Sequence, residues 1–130
     1  MGLLSKIFKG KNEDSGPDLA IELDVQARGT QLKTLEECLD ALSRRMRERD
    51  DLMENPGWRA RVAEYDRIAS EAGQLRRGTL TRETLLDLAF QVRPAFNGTA
   101  PDGMDDLVGL QDRALAASNA LVDLLPGERA

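Results

Sequence analysis

The sequence predicts an all-α protein, a small antiparallel bundle of about four helices that follows an N-terminal amphipathic helix and an extended linker. The main observation is the spacing of apolar residues within residues 30–54, at alternating steps of three and four. These residues are Leu32, Leu35, Leu39, Leu42, Met46 and Met53. A helix of that length is about 36 Å long, enough for the central helix of a bundle. Aromatic residues make up only 4% of the chain, so we expect aliphatic side chains to fill the core.

A second helix is predicted after a turn at Asn55, Pro56 and Gly57. Asparagine is a favoured N-cap, and proline suits the first helical position because its missing N–H has no partner there. The apolar face of this helix consists of Trp58, Val62, Tyr65, Ala69, Ala72 and Leu75. Between the two helices, acidic residues alternate with six arginines, which indicates salt bridges and not a phosphate-binding patch.

Two further helices complete the predicted bundle, which spans residues 30–126. Thr81 can cap the third helix, and Pro94 should end or kink it because a residue before proline disfavours helical geometry. Asp102 and Asp105 place negative charge at the start of the fourth helix, where the helix dipole favours it. We expect this helix to run to Leu125 and residues 127–130 to be a short tail.

Residues 1–12 are predicted to form a basic amphipathic helix. On a helical wheel one face is apolar and the other carries Ser5 and lysines. The candidate binding residues are Leu3, Leu4, Lys6, Ile7, Phe8, Lys9 and Lys11. The three lysines stand without an acidic residue in this segment, which therefore carries a charge of +3, whereas the whole chain carries −5.

A helix of this kind typically lies in a membrane interface, with its apolar face down and its lysines towards anionic headgroups. The same pattern also suits a short helix that docks in a groove of a larger protein assembly. A third interpretation is that the segment packs back on its own bundle. We expect weak, reversible contact with an anionic membrane surface, at the cytoplasmic inner face of the membrane.

Residues 13–29 read as an acidic linker that contains a short extended segment. Glu13, Asp14, Ser15, Gly16 and Pro17 cannot build a core. After them Leu19, Ile21, Leu23 and Val25 alternate with small or acidic residues, a period-two pattern that favours an extended strand. Such a strip can lie along its own bundle, pair across a homo-oligomer, or add to the sheet edge of a partner.

The sequence offers no recognisable catalytic, cofactor-binding or metal-binding motif. The chain has no histidine, which removes the common nucleophilic triads and the usual zinc and iron sites. It has no glycine-rich phosphate loop. Its net negative charge argues against binding to nucleic acid. The single cysteine, Cys38, lies beside the apolar face of the first helix and is expected to be a small buried residue.

Together these observations predict a non-catalytic, cytoplasmic adaptor or scaffold. In this interpretation residues 1–12 attach the protein peripherally to a membrane, and the bundle binds a partner protein. The alternative is a structural or cargo subunit whose N-terminal helix docks on a larger protein assembly. No apolar run approaches the length of about 20 residues that a transmembrane helix requires.

Overall fold

A computed structural model describes residues 23–96 and 102–128. These residues contain five helices and no strand: α1 (Val25–Arg47), α2 (Asp50–Met53), α3 (Pro56–Arg77), α4 (Arg82–Ala89) and α5 (Asp105–Ala120). The all-α prediction is confirmed. All five helices belong to one compact unit, Val25–Asp123. The described residues outside it, 23–24 and 124–128, belong to a second unit.

Helix α1 packs against both α3 and α5. Glu36 near the middle of α1 pairs with Arg76 at the end of α3, whereas Arg47 at the end of α1 pairs with Asp66. These two helices are therefore antiparallel. The same holds for α1 and α5. Arg45 pairs with Asp106 in the first turn of α5, and Gln31 contacts the carbonyl of Ala120 at its end.

Helix α4 closes the bundle on the side between α3 and α5, and it contacts both. The hydroxyl of Ser118 donates to the carbonyl of Ala89 at 2.8 Å, and Arg82 donates to the carbonyl of Leu121 at 3.2 Å. The end of α4 therefore lies beside Ser118 in the last turn of α5. The start of α4 lies beside Leu121, which follows α5. The four longer helices form a ring in the order α1, α3, α4, α5.

The core of the bundle is largely aliphatic, as the low aromatic content predicts. The four leucines of α1 are fully buried, and α1 packs against α3 and α5. Within residues 23–96 and 102–128, Tyr65 is the one buried aromatic residue, and it is 1% exposed. The buried apolar residues are Leu32, Leu35, Leu39, Leu42, Met46, Val62, Tyr65, Ile68, Ala69, Ala72, Leu85, Leu88, Ala89, Met104, Leu107, Ala114 and Leu121.

Helix α1 begins earlier than the sequence predicted. It starts at Val25, so the extended linker predicted for residues 13–29 is wrong over residues 25–29. The reason is Arg28, which stands four residues before Leu32 and continues the apolar face as a buried residue. An arginine at this position hid the helical spacing. Val25 therefore does not belong to an extended strip.

Helix α1 also ends earlier than predicted, at Arg47 instead of near residue 54. The amides of Glu48 and Arg49 bond to carbonyls three residues before them, which tightens the chain into a turn. The indole N–H of Trp58 also donates to the carbonyl of Met46, at 3.0 Å, and is a second donor to this carbonyl beside the amide of Arg49. Met53, predicted for the same apolar face, lies in α2 and is half-buried.

The starts of α3 and α4 confirm the predicted caps. The Asn55 side chain accepts hydrogen bonds from the amides of Gly57 and Trp58 at 2.8 and 3.1 Å, with Pro56 in the first turn. Thr81 accepts from the amide of Thr84, whose hydroxyl in turn accepts from the amide of Thr81. Local side-chain chemistry is sufficient to start both helices.

Helix α5 differs from its prediction at both ends. Its N-cap is Met104, which no side chain caps, so Asp102 lies before the helix while Asp105 is its first residue. Its last residue is Ala120, five residues before the predicted end. Arginine side chains from α1 and α4 bind the carbonyls that follow Ala120, and these bonds replace the helical ones.

Candidate functional site

Most of the binding residues predicted from the sequence lie outside the described residues. They are Leu3, Leu4, Lys6, Ile7, Phe8, Lys9, Lys11, Leu19 and Ile21. Of the strip, Leu23 is described as half-buried and non-helical. Val25 is helical and 63% exposed, so its side chain is accessible at the start of α1.

The antiparallel arrangement brings four helix ends together where α1 begins. The start of α1 lies at the same end of the bundle as the last turns of α3 and α5 and the first turn of α4. This end of the bundle contains two features that no sequence pattern predicted. One is an arginine cluster around the end of α5, and the other is a groove between α3 and α4.

Arg28 is completely buried beside the end of α5. Its guanidinium donates to the carbonyl oxygens of Leu121 at 3.3 Å and Asp123 at 2.6 Å. It also donates to the side-chain oxygen of Gln31 at 2.8 Å. The spacing of Arg28 from Leu32 and Leu35 is the sequence signal that places it on the buried face of α1. A charged residue is rarely buried unless it is paired, so this spacing alone did not predict its burial.

Arg82 approaches the same helix end from α4. It donates to the carbonyl oxygens of Leu121, at 3.2 Å, and of Val122. Together, Arg28 and Arg82 place two positive charges at the negative end of the α5 dipole and satisfy carbonyls left without helical partners. This arrangement holds the end of α5 in place. The guanidinium N–H groups that donate these bonds are therefore already bonded to protein atoms.

A groove of about 340 Å³ lies between the last turns of α3 and α4. Half-buried Leu75 supplies most of the leucine surface, since Leu88 is only 3% exposed. Thr79 and Thr84 lie at the end nearest the start of α4, and Glu71 and Asp87 add carboxylates; no lysine or arginine lines the groove. Its position on the outside of the bundle makes it accessible to a side chain from another segment.

The two carboxylates of the groove differ in their partners. Glu71 accepts from Arg67 at 2.7 Å and from the amide of Gln91 at 3.2 Å. The exposed side chain of Asp87 makes no hydrogen bond or ion pair with another residue in the ranges 23–96 and 102–128. Asp87 is therefore the carboxylate that is open to a cation.

The arginines near the turn between α1 and α3 are largely paired with acids. Arg45 contacts Asp106 at 2.6 Å and Arg49 contacts Asp51 at 3.1 Å. These hydrogen bonds from arginine hold the pKa of both aspartates below the usual range. Arg47 likewise pairs with Asp66. This arrangement agrees with the predicted salt bridges and leaves little free positive charge for a phosphate.

The ionisable side chains form no recognisable catalytic arrangement in the part of the chain that the structure describes. There, no group of cysteine, aspartate and glutamate residues is placed to hold a metal ion. Cys38 is half-buried, whereas the sequence analysis expected a buried residue. This partial burial raises the pKa of its thiol. Tyr65 donates to the carbonyl of Arg93 at 2.5 Å, and burial raises the pKa of its hydroxyl to about 12.

Comparison with known proteins gives no assignment. The chain matches no protein family, and it shows no significant similarity to a curated protein or to a solved structure. None of the helices within the described ranges is both long enough and apolar enough to cross a membrane.

Proposed function

We propose that this protein is a non-catalytic adaptor that binds an anionic membrane surface through residues 1–12 and presents its helical bundle to a partner protein. The observation that carries the proposal is the pattern of residues 1–12. Leu3, Leu4, Ile7 and Phe8 fall on one helical face, and three lysines accompany them without an acid.

Two physical contributions favour binding to an anionic surface. Each of the four apolar side chains contributes roughly 1.5–3 kcal/mol when fully buried. Each lysine near an anionic surface contributes about 1 kcal/mol. Ordering a short segment costs a comparable free energy, at about 1–2 kcal/mol per residue, so the attachment is weak and reversible. A second copy bound to the same surface would strengthen it.

In this proposal the bundle and residues 1–12 have separate roles. Among the described residues, the buried apolar side chains lie between Leu32 and Leu121, so the bundle has a core of its own. Outside residues 1–12 the chain carries a net charge of −8, since the whole chain carries −5. An anionic surface repels that charge, so the attraction must come from the N-terminal segment.

The test is flotation of the full chain with vesicles that contain anionic lipid. We expect wild type to float, and the double variant Ile7→Glu, Phe8→Glu to remain in solution because it charges the apolar face. The matched control is Val25→Glu with Phe90→Glu, two apolar residues of the bundle that are 63% and 67% exposed. The control adds the same charge and should float like wild type.

A triple Lys6→Gln, Lys9→Gln, Lys11→Gln variant separates the two contributions. It should weaken flotation mainly at low salt, because screening already reduces the lysine contribution at high salt. If wild type does not float with anionic vesicles, even when oligomeric, the membrane proposal is wrong. The alternative, docking of residues 1–12 on a larger protein assembly, would then replace it.

A further inference from the structure

We infer that the groove between α3 and α4 binds a short linear aliphatic diamine, a dication whose two ammonium groups are joined by a carbon chain. Such a site goes beyond the proposed function and does not depend on residues 1–12, because every residue that lines the groove lies within the unit Val25–Asp123. The shape of the groove, its charge and the spacing of its two carboxylates all fit this ligand.

The groove is elongated along the two helices that form it. Its lining residues recur at i, i+3, i+4 and i+7 on both sides, so each side contributes one face over about two turns, or roughly 10 Å. They are Glu71, Gln74, Leu75 and Gly78 on the α3 side and Thr84, Asp87, Leu88 and Gln91 on the α4 side, with Thr79 between the helices. A volume of about 340 Å³ is at the lower end of the range for ligand pockets, so the groove suits a small, extended molecule.

The charge of the groove favours a cation. No lysine or arginine lines it, and the exposed carboxylate of Asp87 makes no ion pair with residues 23–96 or 102–128. Glu83, four residues earlier on α4, is a second exposed acid without an ion pair in the same ranges. Like charges at this spacing on a helix repel each other. A cation bound at Asp87 therefore relieves an unfavourable interaction within α4.

The second carboxylate of the groove, that of Glu71, is held about one helical turn from Asp87. The side-chain amide of Gln91 donates to Glu71 and to the backbone carbonyl of Asp87, both at 3.2 Å. Arg67 donates to Glu71 at 2.7 Å and to the amide oxygen of Gln91 at 2.9 Å. These bonds fix Glu71 at one end of the groove. Its side chain is still 40% exposed, so a second cation can share the carboxylate with Arg67.

The separation of the two carboxylates favours an extended cation over a metal ion. Within the ranges that the structure describes, no group of three acids or cysteines is placed to hold a metal ion. A diamine can place one ammonium group at Asp87 and the other at Glu71, and its carbon chain then lies over half-buried Leu75. The hydroxyl of Thr79 and the amide oxygen of Gln74 can accept further hydrogen bonds from the ammonium groups.

The test is a titration of the full chain with putrescine, a four-carbon diamine, followed by NMR of the backbone amides. We expect saturable shifts of the amides of Leu75, Thr79 and Gln91, with an affinity in the millimolar range. Butylamine has the same carbon chain and one ammonium group. It should bind about two- to fivefold more weakly, which is the effect of one exposed ion pair. Magnesium chloride at equal ionic strength controls for general attraction to a chain of net charge −5.

Two variants remove one carboxylate each. Asp87→Asn should weaken the binding of putrescine by about two- to fivefold, and Glu71→Gln should make putrescine bind no more tightly than butylamine. The matched control is Asp112→Asn, which makes the same change at an exposed acid of α5 that has no ion pair among the described residues. It should bind putrescine like wild type.

A third variant fills the groove with a covalent ammonium group. Gln74 is exposed and lines the groove, so Gln74→Lys should abolish the saturable shifts. Gln74→Met has a side chain of similar length without charge, and it should bind putrescine like wild type. Circular dichroism shows whether each variant keeps its helices.

Three results would overturn the site. They are the absence of saturable shifts at the groove amides in wild type, equal affinity of wild type and Asp87→Asn for putrescine, and saturation of the same amides by magnesium at the same concentration. The last result would mean that general attraction to acidic groups is sufficient. Flotation with vesicles does not involve the groove, so it tests the proposed function separately.

Discussion

Arg28 donates a hydrogen bond of 2.6 Å to the carbonyl oxygen of Asp123, so a residue in the first turns of α1 holds the chain that follows α5. The two residues are 95 positions apart in the sequence. A guanidinium that is 0% exposed is stable at this position because carbonyl oxygens and Gln31 accept its hydrogen bonds. The bond therefore links the first helix of the bundle to the segment that follows the last helix.

Replacement of Arg28 should destabilise the fold. Arg28→Met keeps much of the side-chain volume but leaves buried carbonyls without donors, and we expect a loss of about 3 kcal/mol in the free energy of unfolding. Arg28→Lys should recover only part of this loss, because an ammonium cannot reproduce the planar fork of donors. Urea unfolding followed by circular dichroism measures the effect.

Arg44→Met, an exposed change on the same helix, is the control and should cost less than about 1 kcal/mol. Equal midpoints for Arg28→Met and the control would contradict a stabilising role.

The apolar face of α1 is the second target. Leu39 is 0% exposed at the centre of the helix, so Leu39→Ala should lower the free energy of unfolding by about 2–5 kcal/mol through lost burial and the cavity left behind. The neighbouring control is Glu37→Ala, which removes an exposed side chain and should change stability by less than about 0.5 kcal/mol. Thermal unfolding of the two variants provides the comparison. A similar loss in both would mean that α1 is rotated from the orientation described.

The raised pKa of Tyr65 predicts a loss of stability at alkaline pH. Its pKa is about 12 in the folded protein and 10.0 in an unperturbed tyrosine, so the folded state holds this proton more tightly. The resulting stabilisation is complete below about pH 10 and is lost as the pH rises towards 12. A shift of two units corresponds to roughly 2–3 kcal/mol. Tyr65→Phe removes this contribution, so the difference in unfolding free energy between wild type and the variant should change over that interval and stay constant below it.

A direct measurement is available because Tyr65 is the only tyrosine in the chain. Tyrosinate absorbance of the folded protein should rise with a midpoint near pH 12, and in denaturant with a midpoint near the ordinary value. Circular dichroism recorded on the same samples shows whether the helices persist. A midpoint near 10 in the folded protein would show that the hydroxyl is exposed to water.

The functional site was predictable only in part. Residues 1–12 could be interpreted from sequence because amphipathic spacing and clustered lysines are local properties. The groove could not, since Leu75 lies in α3, Asp87 and Leu88 lie in α4, and Thr79 lies between the two helices, with no shared motif. Only the antiparallel packing of α3 and α4 places these residues side by side.

The sequence by itself determined the helical class and the two helix starts that depend on near neighbours. Asn55 and Thr81 cap α3 and α4 through bonds to residues two or three positions away, so the local sequence contains both partners. The leucine spacing of α1 likewise defines its buried face, because 3.6 residues per turn bring positions three and four apart onto one side.

Only the tertiary structure decided where α1 and α5 begin and end. Arg28 extends α1 towards its N-terminus because carbonyls from α5 compensate the burial of a charge, and no pattern near residue 28 contains those partners. The indole N–H of Trp58 donates to the Met46 carbonyl near the end of α1, and Arg82 donates to carbonyls at the end of α5. A helix end needs partners for its last carbonyls, and here residues distant in sequence supply them.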